Sequence, residues 1–100
     1  MEKYYILRRN KNKIEFAESY GKKLENNFSL DLYIEHHKDG KWKITEASSG
    51  LLIYQGKTKE KTIDDCFIKL AETGVENIKA LIKSCIAKHG ISPLYAQVSA

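Results

Sequence analysis

Few residues in this chain could do chemistry, and each has a competing structural use. Cys85 and His89 stand four apart, the spacing that puts two metal ligands on one face of a helix. Cys66 could supply a third ligand, and His36 or His37 a fourth. There is no C-x-x-C and no H-x-x-x-H pair, and both cysteines fall within apolar stripes. Two core thiols and a histidine at a helix C-terminus, where the dipole favours a cation, account for the same residues. We therefore expect no metal site and no cofactor. Asp64-Asp65 suggests acid/base work, but adjacent helical positions face different directions, and acids near a helix start stabilise it without any catalytic role. Ser48-Ser49-Gly50 lacks the G-x-S-x-G pattern and reads as a hairpin turn. Gly56-Lys57-Thr58-Lys59 resembles the end of a phosphate loop, yet leucine occupies position 51, where that motif needs its first glycine. Thr58 reads instead as a helix N-cap, with Lys57 and Lys59 forming a weak anion corner. No catalytic residue emerges, and the chain reads as a non-enzyme.

The charged and aromatic residues are more informative. The 100 residues carry 17 basic and 13 acidic side chains, a net charge of +4. The excess lies near the N-terminus, in Arg8, Arg9, Lys11, Lys13, Lys22 and Lys23. Lys41, Lys43, Tyr33 and Tyr54 add cations and rings on strands farther along. We take Arg8, Arg9, Lys11, Lys13, Tyr33, Lys41, Lys43 and Tyr54 as the candidate contact surface. Tyrosine and arginine are the usual anchors of protein interfaces. The same set could also stack and neutralise single-stranded nucleic acid. The charge excess is modest and no RNP1-like motif is present, which favours a protein partner over nucleic acid.

These residues must be positioned by one small domain. We expect a sheet over residues 1–57, two helices over 58–90 and a tail over 91–100. Lys3–Arg9 reads as a strand, Asn10-Lys11-Asn12 as a turn, and Ile14–Tyr20 as a second strand followed by a loop over Gly21–Ser29. Leu30, Leu32 and Ile34 alternate with polar residues, as do Trp42 and Ile44. A two-residue Asp39-Gly40 turn would set Glu35 beside Ile44, on the wrong face. A three-residue loop, Lys38 to Gly40, pairs Ile34 with Ile44 and His36 with Trp42, and needs Gly40 left-handed. Pairing Glu46 with Leu51 and Ile44 with Ile53 extends the meander and puts Leu52 and Tyr54 on the opposite face. The first helix, about Lys59 to Glu72, carries the stripe Ile63, Cys66, Phe67, Leu70, Ala71. Thr73 and Glu76 have capping-box spacing for a second helix, which carries Val75, Ile78, Leu81, Ile82, Cys85 and Ile86 and ends at Gly90. Leu94, Tyr95 and Val98 suit a short final strand or a docked tail. The predicted class is α+β: a four- or five-stranded antiparallel meander, followed by a C-terminal helical hairpin on its Trp42 face. The other sheet face stays open for a partner.

The apolar runs are too short to span a membrane, and the N-terminus lacks the apolar stretch of a secretion signal. A cytoplasmic protein with free thiols is the expectation. The run Trp42–Leu51 (WKITEASSGL) followed by Gly56–Glu60 (GKTKE) resembles small accessory proteins of phages and mobile elements. The Gly-x-Thr helix entry after a strand is also similar to antitoxins of the HicB type. The phage-like resemblance implies a bacterial host or phage protein as partner. The implied role is modulation or inhibition of that protein or nucleoprotein machine, including inhibition of a defence system. A homodimer through a free strand edge is a further option.

Overall fold

Each strand pairs with the next one in sequence. The computed structural model describes residues 1–96. Its strands β1 (Glu2–Asn10), β2 (Lys13–Leu24), β3 (Leu32–His36), β4 (Trp42–Glu46) and β5 (Leu51–Gly56) form one antiparallel sheet in the order β1-β2-β3-β4-β5. Helices α1 (Lys59–Thr73) and α2 (Val75–His89) follow, then the single turn α3 (Pro93–Ala96). The α+β meander with a C-terminal helical hairpin is the architecture present, with five strands.

The β3–β4 hairpin follows from parity. Ile34 pairs with Ile44 and His36 with Trp42. His37 and Lys41 close the loop with a 2.9 Å hydrogen bond, and Gly40 has φ +87°. The register keeps Leu32, Ile34 and Ile44 on one face, where they meet Cys66 and Leu70 of α1 and Ile78 and Ile82 of α2. Buried α1 residues recur every four positions, at Thr62, Cys66 and Leu70. The α2 stripe is narrower than its sequence suggests, because Leu81 is 55% exposed. This helix rests on α1 and on the β4–β5 turn, where the Cys85 thiol lies 3.9 Å from the Ser49 carbonyl. A single i, i+4 ridge, Ile78 and Ile82, is enough for that contact.

Three local expectations change. The anticipated Thr73–Glu76 capping box is absent, because α1 runs through Thr73 and Gly74 (φ +89°) joins the helices. The Gly74 N–H donates to Leu70 O, and its carbonyl accepts from Asn77 and Ile78, so one glycine satisfies both helix ends. In β5, Glu46 pairs with Leu51 as anticipated, but Ile44 faces Tyr54 and not Ile53. A bulge at Ile53 inserts one residue, which turns both Ile53 and Tyr54 toward the helices. Tyr54 therefore leaves the face predicted for it and packs beside α1, with Lys69 Nζ 5.7 Å from its ring centroid.

The largest departure concerns the second sheet face. No loop begins at Gly21, since β2 continues to Leu24, pairing with β1 as far as Gly21 and with β3 from Lys22 onward. At the changeover the strand runs so close to β3 that a Cβ on Gly21 would sit 2.6 Å from the Ile34 carbonyl oxygen. The bend folds the β1–β2 hairpin over the second face. Tyr4 stacks on Tyr33 with ring centroids 4.8 Å apart, and Ile6, Ala47 and Tyr95 complete a second apolar cluster. Leu7 N–H donates to the Gly50 carbonyl at 3.0 Å, nearly closing the sheet into a barrel. The face expected to be open is covered by the chain's own N-terminus. The tail docks there as well: Ser92 N–H donates to Ser48 O, and Pro93–Ala96 form a helical turn and not a strand. Val98 lies outside the described residues.

Candidate functional site

The hairpin covering the second face carries the basic cluster at its end. Beyond the Leu7–Gly50 hydrogen bond, β1 and β2 extend to a two-residue turn at Lys11-Asn12, closed by the Asn10–Lys13 pair. Three residues at strand rise carry this tip roughly 10 Å past its anchor. Arg8, Arg9, Lys11 and Lys13 are all exposed, and among the described residues none of the four forms an ion pair. Glu15, the one acid in the segment, faces Arg8 in the register but accepts its hydrogen bond from Asn10 Nδ2 at 2.8 Å. Ile14, opposite Arg9, is also exposed. Lys11 takes φ +59°, a conformation lysine adopts at a cost.

The other four predicted contact residues do not join this tip. The tip projects past the β4–β5 turn, at the end of β4, whereas Lys41 and Lys43 flank its start. Lys43 is paired with Asp39 at 3.4 Å. The Lys41 backbone N–H, and then Lys43, hold the Asp39 carboxyl below the usual carboxylate range. Tyr33 is 7% exposed beneath Tyr4 and cannot meet a partner, and Tyr54 lies against α1. The aromatic platform read from the sequence is therefore divided among two cores and two opposite ends. The basic hairpin end is the part that remains as a surface.

Two carboxylates, the half-buried Glu35 and the buried Glu46, organise the interior. Glu35 accepts from the Tyr4 hydroxyl at 2.7 Å and from the Ser19 hydroxyl, and His37 Nε2 lies 3.5 Å from its other oxygen. Burial, followed by the Glu35 hydrogen bond, raises the Tyr4 phenol well above its ordinary range, so it remains a donor. Glu46 accepts from the backbone N–H and hydroxyl of both Ser48 and Ser49 and so clasps the β4–β5 turn against which Leu7 docks. Neither acid is set up for a triad, because the Ser19 hydroxyl points to Glu35 and not to a histidine. Both thiols are protonated at neutral pH. Burial pushes Cys66 up to about 11 and raises Cys85, with Glu46 adding to the effect at Cys85. Nucleophile activation requires the opposite shift. Among the described residues, no group of three or more His, Cys, Asp or Glu side chains could hold a metal ion.

A feature that sequence reasoning missed is a cleft of about 600 Å³ between β2 and the start of α1. Tyr20, Lys22, Ile34, His36, Trp42 and Lys59 line it. They come from four elements, so no sequence window contains them. The paired positions Lys22–Ile34 and His36–Trp42 were the only available signal, and they become visible once the register is known. Comparison with known proteins finds no matching family model, no matching curated protein and no matching solved structure.

Proposed function

We propose that this chain is a non-enzymatic binding module that applies its basic hairpin end to an acidic surface on a protein partner and blocks a site there. One observation supports the reading most: four cations within six residues project from a hairpin whose base is pinned to Gly50, and among the described residues none of them forms an ion pair. Unpaired charge of one sign on a small, firmly held projection steers association and selects an oppositely charged partner. The protonated thiols and the carboxylates engaged in structural hydrogen bonds agree with a role in contact and not in bond making. The resemblance of Trp42–Leu51 and Gly56–Glu60 to phage and mobile-element proteins supports a bacterial cytoplasmic partner and a role in inhibition.

The test is capture from nuclease-treated bacterial lysate by the full chain and by its Arg8→Glu/Arg9→Glu variant. A defined protein retained by the first and lost by the second, at equal melting temperature, is the expected result. Equal retention by both refutes the role of the hairpin end. The same cations favour a second reading, direct nucleic-acid binding. In that case a gel shift must weaken steeply between two salt concentrations, and no shift at low salt excludes it.

A further inference from the structure

The cleft between β2 and α1 has a composition that neither the fold nor the basic hairpin explains. Its floor is a ring pair: His36 and Trp42 stack at 4.4 Å with an interplanar angle of 1°. The His36 ring is steadied by a 3.3 Å contact from Nε2 to the Gly40 carbonyl, and the residue is exposed, so the stack can be extended on that side. Ile34 and Tyr20 add an apolar wall. Two cations face the space, Lys22 from β2 and Lys59 from the first position of α1. Neither forms an ion pair among the described residues, although Lys59 Nζ lies 5.8 Å from the Trp42 ring centroid. Two acids also line the cleft: Glu18 pairs with Lys3 at 3.8 Å, and Glu35 is held by the neutral hydroxyls of Tyr4 and Ser19. The space is therefore flat and aromatic on one side, with two lysines free of ion pairs at its edges. Its volume is in the range that holds a small organic ligand.

We propose that this cleft binds a nucleotide, with the base extending the His36–Trp42 stack and the phosphate held by Lys22 and Lys59. A base has a π-face to continue the stack, and its phosphate supplies the negative charge the two lysines lack. The nucleotide is either free or one residue of a single strand, since both present the same base and phosphate. The assignment is independent of the hairpin end, which lies on a different part of β2.

Trp42 is the sole tryptophan and sits in the site, so its fluorescence is the readout. The full chain is titrated with adenosine 5′-monophosphate and, separately, with a short oligothymidylate. Saturable quenching is expected with at least one of them. Saturation by the mononucleotide identifies a free-nucleotide site, and saturation by the oligomer alone identifies a single-strand site. Lys22→Glu and Lys59→Glu should each weaken binding roughly tenfold, the effect of losing one charged hydrogen bond. Both lysines are exposed, so the melting temperature should hold. Arg8→Glu/Arg9→Glu should leave mononucleotide quenching unchanged. No saturable quenching by either probe at millimolar concentration overturns the proposal. Quenching that ignores both lysine reversals, or that is lost with the arginine reversal, also overturns it.

Discussion

The placement of the basic hairpin end depends on Gly50, and a pair of substitutions tests it. Gly40 and Gly50 both hold positive φ, +87° and +73°. Alanine in a left-handed conformation costs about 1–2 kcal/mol at either site. The surroundings differ. A Cβ on Gly40 meets nothing within 4 Å, whereas a Cβ on Gly50 lies 2.9 Å from Leu7 N, 3.0 Å from Phe16 Cε1 and 3.2 Å from Ile6 C. Two of those atoms are backbone, so relief requires moving β1. That adds an overpacking cost of about 1–3 kcal/mol and strains the Leu7–Gly50 hydrogen bond, worth about 1 kcal/mol. Gly40→Ala should therefore lose about 1–2 kcal/mol and Gly50→Ala about 3–6 kcal/mol. At roughly 4–8 °C per kcal/mol for a domain of this size, the two melting temperatures should separate by more than 5 °C. Urea and thermal unfolding, followed by Trp42 fluorescence and far-ultraviolet circular dichroism, measure both. Equal losses in the two variants would mean that the hairpin is not seated against Gly50, and the position assigned to Arg8–Lys13 would fall with it.

Three further outcomes are expected. Lys11→Gly should stabilise the fold by about 0.5–1 kcal/mol in urea unfolding, because it relieves a positive φ at an exposed turn. Glu46→Gln should destabilise by about 2–4 kcal/mol in the same assay, because an amide NH₂ replaces one of two oxygens that face four donors. Cys66 should resist alkylation at pH 8 in the native state, and alkaline titration should weaken the fold. Its pKa of about 11 is above its ordinary 9.0, so the stabilisation is complete below pH 9 and is lost as pH rises toward 11, on the order of 2–3 kcal/mol. The raised Tyr4 phenol acts in the same direction at still higher pH. Flat stability between pH 8 and pH 11 would contradict the burial of Cys66.

Facing parity made the β3–β4 hairpin readable: of a two- and a three-residue loop, only the latter puts Ile34, Ile44 and Trp42 on a common face, and the structure has that length. The same rule misplaced Tyr54, because a bulge adds a residue without any mark in the composition of Leu51–Gly56. Glycine carried information that composition hid. Gly21 reads as a loop start, yet it is the point where β2 changes partner, and this is seen only when the Ile34 carbonyl is beside it. The Tyr4–Tyr33 stack was unreadable for a related reason. Tyrosine is equally at home on an open face and in a core that offers its hydroxyl an acceptor, and that acceptor, Glu35, is 31 residues from Tyr4. Of the candidate site, Arg8–Lys13 was legible because it is contiguous. The cleft was not, because Tyr20, Trp42 and Lys59 meet only in three dimensions.

The closure between β1 and Gly50 also shapes how this chain comes to be folded. Every other strand junction shuts a short connection, but joining Leu7 to Gly50 ties up roughly forty residues, an added entropic penalty of about 2 kcal/mol over a tight turn. During vectorial synthesis the first hairpin leaves the ribosome early and has no surface to settle on until β3, β4 and their turn have emerged. The segment made first thus waits for Gly50 before it can dock, ahead of the helices, and Tyr33 and Ala47 stay wet in the meantime. Refolding experiments should therefore see burial around Trp42 precede quenching of the tyrosine pair, an order opposite to that of translation.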